Sequence, residues 1–255
     1  MSMRLHQCAA AAALTMGAGL AHADCASLPN WTTLKNALVA AVATESSGLD
    51  FQMWATLVDR DGVVCAVAFS GSDRGAQWPG SRVISAQKAN TANAFSLDGL
   101  ALSTANLYSA VQPGGSLYGL QHSNPVNPDV AYGGNSANNG TANDFMVGKK
   151  PGGVNVFGGG LALYNANHKV VGAVGVSGDT SCADHMIGWR VRANLGFDNL
   201  AGVGGVSGDA AHPDNIVYDI TPNPNGGTGV SAGGFGHPLC LNTTNPPAPL
   251  PAANH

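Results

Sequence analysis

The sequence predicts an α+β domain whose sheet is largely antiparallel. Two pairs of apolar, β-rich runs are each joined by a short turn. The first pair, residues 51–58 and 63–69, surrounds an Asp-Gly turn, which is a strong hairpin signal. The second pair, residues 154–164 and 169–176, surrounds the turn Asn-Ala-Asn-His. Because hairpins pair strands antiparallel and helical patterns flank them, we expect α+β rather than a doubly wound fold.

Four segments show helical patterns. Leu34, Leu38 and Val42 recur at i, i+4 and i+8, which predicts a helix from Trp31 to Glu45. Ser81 resembles an N-cap for a helix that ends near Phe95. We expect further helices over residues 97–111 and 182–195.

The termini divide the chain into three parts. Residues 1–23 have one positive residue, a short apolar stretch and a final Ala-His-Ala, which is typical of a signal peptide cleaved after Ala23. We therefore expect a periplasmic or secreted protein. Residues 24–196 form the predicted domain, with a Gly/Pro/Asn/Ser-rich loop insert at 112–153 that is long for a compact domain. Residues 197–255 are predicted to be an irregular extension.

Charge and hydropathy exclude several partners. Charged residues make up 10% of the chain and the formal net charge is −4. A mildly acidic, charge-poor chain argues against nucleic acid or an anionic membrane as partner. Beyond the signal peptide, no segment is long and apolar enough to predict a membrane span.

The cysteines predict disulfides. Cys25, Cys65, Cys182 and Cys240 remain after signal-peptide cleavage, and an even count in an exported chain indicates two bonds. Four cysteines can form two disulfides in three ways, and we favour the arrangement with Cys25–Cys65 and Cys182–Cys240. The spacing gives no CxxC redox or zinc motif.

Three sequence blocks are distinctive: WATLVDRDGVVCAVAFSG at 54–71, SAQKANTANAFS at 85–96 and GGLALYNANHKVVGAVGVSGDTSCADH at 159–185. Together they resemble the GlcG/HbpS family of haem-binding proteins. The resemblance spans roughly residues 31–196. It implies a profilin-like antiparallel sheet flanked by helices, and a homo-oligomer with ligand pockets near subunit contacts. The insert, the extension and the cysteines depart from the family pattern.

The predicted ligand contacts lie in the second and third blocks. Lys88 either extends along the edge of the core or faces a carboxylate of the ligand. Gly175 and Ser177 belong to a Gly-Val-Ser-Gly corner, which predicts either a tight turn alone or an anion cradle at the next helix N-terminus. Ser181 and Asp184 fit a capping-box-like pattern.

The resemblance makes haem the first-choice ligand, and a neutral imidazole is its usual axial ligand. The processed chain has histidines at six positions, and we favour two of them, His122 and His185, as iron ligands. The six histidines are His122, His168, His185, His212, His237 and His255. Tyr118 and Phe157 are expected either to form the walls of an apolar pocket or simply to cover the sheet. The absence of a C-x-x-C-H motif argues against covalent haem attachment.

These features predict a binding protein rather than an enzyme. Ser177 lies in GVSGD, which is not the G-x-S-x-G nucleophile elbow, so we assign no catalytic residue. The expected role is haem storage, scavenging or sensing outside the cytoplasm. Two alternatives stay open. One is an enzyme that acts on a small carboxylated metabolite in the same pocket, and the other is a non-catalytic scaffold.

Overall fold

A four-stranded antiparallel sheet forms the centre of the molecule. The computed structural model describes residues 24–245 and 249–253. The predicted signal peptide, residues 1–23, and His255 lie outside the described residues. The strands have the order β2-β1-β4-β3, and every neighbouring pair is antiparallel. They are β1 (Trp54–Asp59), β2 (Val64–Phe69), β3 (Gly160–Tyr164) and β4 (Val170–Ser177).

Both predicted hairpins are confirmed, and their turns are closed by side chains. In the β1–β2 turn, Asp59 Oδ1 accepts hydrogen bonds from the backbone of Asp61 at 3.0 Å and of Val63 at 2.9 Å. In the β3–β4 turn, Asn165 Oδ1 accepts from Asn167 at 2.9 Å and from Lys169 at 3.1 Å. Asx side chains favour such turns because they replace backbone acceptors there.

Helices cover both faces of the sheet, which confirms the predicted α+β class. Helix α2 (Ser81–Phe95) packs against one face, while α1 (Trp31–Val42) and α5 (Ser181–Asn194) pack against the other. Every residue of β1, β3 and β4 is consequently buried. Gly175 permits the close approach of α2, since a Cβ there would collide with the backbone of Ser85 and Ala89.

The prediction of a helix over residues 97–111 is wrong. The chain forms two short 3₁₀ segments instead, Thr104–Leu107 and Ser109–Val111. Asn106 Oδ1 accepts hydrogen bonds from the backbone and the hydroxyl of Ser103 at 3.0 and 2.9 Å. These local bonds close a tight turn, and such bonds compete with continuation of an α-helix.

The insert at 112–153 is packed against the domain and contains two short helices, α3 (Leu120–Ser123) and α4 (Pro128–Ala131). Its main anchor is a buried ion pair between Asp144 and Arg82 of α2, and Arg82 also donates to Ala131 O at 2.8 Å.

The C-terminal extension is largely irregular, and it is fixed to α5. Its secondary structure includes a two-stranded ribbon, β5 (Ile220–Thr221) and β6 (Val230–Ser231). Arg192 of α5 makes a fully buried bidentate pair with Asp214, at 2.6 and 2.8 Å.

Both favoured disulfides are present: Cys25–Cys65 and Cys182–Cys240. The second bond joins the first turn of α5 to the extension, 58 residues further along the chain. Among the helices of the described ranges, none has the length and apolar character needed to cross a membrane.

Candidate functional site

One surface cavity collects three of the five predicted ligand contacts. It lies between α2, the end of β4, the start of α5 and the extension, and its volume is about 330 Å³. Other cavities of similar size exist, but this one contains the predicted contacts Lys88, Ser177 and Asp184. We call it the Lys88 pocket. Its lining residues are Trp78, Ser81, Ile84, Lys88, Tyr108, Phe157, Ser177, Asp179, Ser181, Asp184, His237 and Pro238.

Lys88 and Asp184 form a buried ion pair in the wall of the pocket. Lys88 Nζ lies 2.5 Å from Asp184 Oδ2 and donates a second hydrogen bond to Val176 O at 3.2 Å. Burial lowers the pKa of Lys88, and the neighbouring carboxylate opposes this. Burial raises the pKa of Asp184 to about 6 although Lys88 opposes the shift. An ammonium has three donors, and these two contacts account for two of them.

The first turn of α5 differs from the predicted capping box. The N-cap is Thr180, whose side chain accepts from the backbone of Ala183 at 3.3 Å, and not Ser181. Asp184 Oδ1 accepts from the backbone of Asp179 at 2.9 Å. The Asp179 side chain accepts from Thr180 N at 2.5 Å. Acceptors of the chain itself therefore occupy the backbone amides of Asp179, Thr180 and Ala183.

Ser81 and Gly175 also differ in role from the predictions. Helix α2 includes Ser81 as its first residue, and Gly80 is the N-cap without a side-chain hydrogen bond. Ser81 lines the pocket instead. Gly175 does not line it, because α2 covers this glycine directly.

Of the two aromatic residues predicted as pocket walls, the structure brings one to the pocket. Phe157 lines it, whereas Tyr118 lies in the insert with 65% of its surface exposed and away from the lining. Trp78 and Tyr108 supply further aromatic surface there. The sequence analysis does not single out either residue: Trp78 lies in a loop, and Tyr108 lies in the segment where the predicted helix is absent.

The two histidines favoured as iron ligands do not line the Lys88 pocket. His122 is exposed on the short helix α3. His185 is fully buried, and its Nε2 lies 3.1 Å from Asn215 Oδ1 and from the Ile216 backbone nitrogen. Burial lowers its pKa to about 4, so its imidazole is neutral at pH 7.

His237 of the extension is the histidine that lines the pocket. The side chain is 1% exposed, and its ring lies 5.0 Å from the ring of Tyr108. Nδ1 lies 2.7 Å from Pro238 O. Nε2 is buried and has no hydrogen-bond partner among the described residues. Burial lowers the pKa of His237 to about 4, and the charge on Lys88 adds to this effect.

These groups fit a flat, iron-containing ligand. Aromatic side chains offer apolar surface to a planar ring system. The buried Nε2 of His237, which lacks a partner, is a nitrogen that could bind iron. Lys88 is a cation whose third donor could bind a carboxylate.

Fold and pocket together define an α+β protein with a ligand pocket at the junction of its last long strand and last helix. The family model described as "Haem degrading protein HbpS-like" matches residues 31–193. The chain belongs to this HbpS-like family, which confirms the resemblance in the sequence. No curated protein matches the chain.

The chain is similar to three solved structures among others. The "PduOC:Heme Complex" is 23% identical, with a TM-score of 0.44, covering 64% of this chain and 90% of that chain. Protein ORFY of Klebsiella pneumoniae is 26% identical, with a TM-score of 0.44, covering 66% and 90%. A double mutant of HbpS from Streptomyces reticuli is 17% identical, with a TM-score of 0.42, covering 73% and 98%.

Proposed function

We propose that this protein binds haem non-covalently in the Lys88 pocket, outside the cytoplasm, for storage, scavenging or sensing. The observation that carries the proposal is the composition of this one cavity. It combines aromatic walls, a buried lysine and a buried imidazole nitrogen without a partner. Membership of the HbpS-like family, whose description names haem, supports the choice of ligand.

The roles of the pocket residues follow from their positions. Trp78, Tyr108 and Phe157 would contact the planar face or edge of the ligand. Lys88 would offer its remaining N–H to a propionate, while Asp184 balances its charge. Bound haem would supply an iron centre that accepts an axial ligand from the protein.

A haem titration followed by absorbance tests the proposal, with two exposed aromatic residues as a matched pair. Trp78→Ala removes a pocket wall, whereas Tyr118→Ala removes an aromatic residue outside the pocket. We expect a saturable Soret shift for the unmodified protein and an affinity roughly two- to tenfold lower for Trp78→Ala. Tyr118→Ala should bind like the parent. A Soret spectrum no different from that of haem with a non-binding control protein would overturn the proposal.

The two disulfides support the proposed export, since such bonds persist mainly in oxidising compartments. The proposal includes cleavage of the signal peptide after Ala23. N-terminal sequencing of the protein recovered from its native host should begin at Asp24. A cytoplasmic protein with reduced cysteines and an intact N-terminus would contradict it.

A second candidate function is acid–base catalysis on a small carboxylated metabolite. Asp184 favours it, because burial raises its pKa to about 6, and a group with this pKa exchanges protons near neutral pH. Calorimetric titration with succinate or malate would separate the two candidates. Binding of these acids by a protein that does not bind haem would favour the enzyme.

The family resemblance also leads us to propose a homo-oligomer. Trp78 and Phe157 are 49% and 40% exposed at the pocket, so a second subunit contacting this region would cover apolar surface. Sedimentation velocity over a range of protein concentrations tests this expectation. A monomer throughout the range would contradict it.

A further inference from the structure

His237 lies on a segment that is held on several sides. Its backbone N–H donates to Val217 O at 2.8 Å, and the hydroxyl of Ser109 donates to Gly236 O at 2.6 Å. Three residues later, Cys240 is bonded to Cys182 at the start of α5. The segment lies beyond residues 31–193, which the family model matches. The extension therefore contributes one wall of a pocket whose other walls belong to the family domain.

The hydrogen bond at Nδ1 defines the tautomer of His237. A carbonyl oxygen can only accept, so Nδ1 carries the proton that it donates to Pro238 O. Nε2 then has a free lone pair, and within the described part of the chain nothing donates to it. A buried polar atom without a partner is unfavourable and calls for an explanation. Metal-binding histidines typically donate their other N–H to a backbone carbonyl or a carboxylate, which is the arrangement found here.

The nearby sulfurs offer a different metal chemistry, which the disulfide prevents. The sulfurs of Cys182 and Cys240 lie with a ring nitrogen of His237 within 4.8 Å of one another. Because the two sulfurs are bonded to each other, neither is a thiolate ligand in the oxidised chain. The ring nitrogen near these sulfurs is Nδ1, 3.9 Å from Cys182 Sγ, so Nε2 is the nitrogen of this imidazole that retains a free lone pair.

We infer that Nε2 of His237 is the axial ligand of the iron when haem occupies the Lys88 pocket. The inference rests on the proposed haem binding and specifies which residue bonds the metal. The extension thus completes the binding site. His122 and His185 are not the iron ligands in this assignment.

Absorbance titration of the oxidised protein with haem tests the assignment, using His237→Ala and, as matched control, His122→Ala. We expect His237→Ala to lose the Soret spectrum of the parent and to bind haem about tenfold or more weakly, because an iron–ligand bond is lost. Added free imidazole should restore the parent spectrum in this variant, which a purely structural defect would not allow. His122→Ala should match the parent.

An unchanged spectrum in His237→Ala would overturn the assignment and leave haem binding intact. No Soret change in the parent would overturn haem binding itself, so the two failures are distinguishable. Should His237→Ala not fold, resonance Raman spectra of the ferrous complex of the parent provide the test. The iron–nitrogen stretch should shift on ¹⁵N labelling of histidine, and the same shift should appear in His122→Ala and in His185→Gln. Absence of a shift would overturn the assignment.

Discussion

Replacing Asp214 by asparagine should destabilise the protein strongly. The side chains of Arg192 and Asp214 are both 0% exposed, and two hydrogen bonds of 2.6 and 2.8 Å join them. Arg192 also donates to Ala162 O at 3.2 Å and lies 4.4 Å from the ring of Trp189. The variant keeps the shape of the carboxylate but leaves a buried guanidinium without its counter-charge. Removing one partner of a buried ion pair costs about 3–5 kcal/mol.

Urea unfolding of the oxidised protein, followed by tryptophan fluorescence, measures this loss. The matched control is Asp98→Asn, which breaks the Lys169–Asp98 pair, where the side chains are 61% and 51% exposed. Exposed pairs contribute about 0–1 kcal/mol, so the control should unfold nearly like the parent.

The double variant Arg192→Met/Asp214→Leu should recover most of the stability, because it leaves no unpaired charge. Equal losses of about 1 kcal/mol or less for Asp214→Asn and the control would refute the reasoning.

Three further outcomes are expected. His185→Gln should weaken the pH dependence of the free energy of unfolding. Burial lowers the folded pKa of His185 to about 4, so this residue contributes a loss on the order of 3 kcal/mol as the pH falls from about 6.5 to 4, where only the unfolded state takes up a proton. His237 has a similarly lowered pKa, so its contribution should remain in the variant. A parent with constant stability over that range would contradict this. Gly175→Ala should cost about 1–3 kcal/mol in urea unfolding because its Cβ meets the backbone of α2, whereas Gly99→Ala, with open space around it, should be nearly neutral; similar effects would disprove the packing argument. Cys25→Ser/Cys65→Ser should lower stability by about 4 kcal/mol, from the entropy of a loop with a sequence separation of 40, and leave haem affinity unchanged, since neither cysteine lines the pocket.

The sheet and its main helices were predictable because their signals are local. The Asp-Gly turn, the alternation of strands and turns, and the apolar period of α1 each act over a few residues. Residues 97–111 were misassigned because hydrogen bonds of Ser103 and Asn106 compete with a helix that composition favours. Apolar composition alone does not reveal that competition.

The pocket was predictable where its residues lie in the family blocks. Lys88, Ser177 and Asp184 were identified and do meet in one cavity. The sequence does not favour His237 over the other histidines, because it lies in a Gly/Pro/Asn-rich segment without periodicity. The favoured disulfide between Cys240 and Cys182 is a signal for His237 as a pocket residue, because it places residues 237–238 near the start of α5 and Asp184.

The buried ion pairs of Arg82 and Arg192 limit how far the protein can be shortened toward its family domain. The insert reaches α2 through Asp144, and the extension reaches α5 through Asp214, so each addition supplies the counter-ion of a buried arginine in the domain. A shortened chain without these segments would retain two guanidinium groups that lack carboxylates. Such a minimal domain therefore requires Arg82 and Arg192 to be replaced by apolar residues at the same time as the segments are deleted.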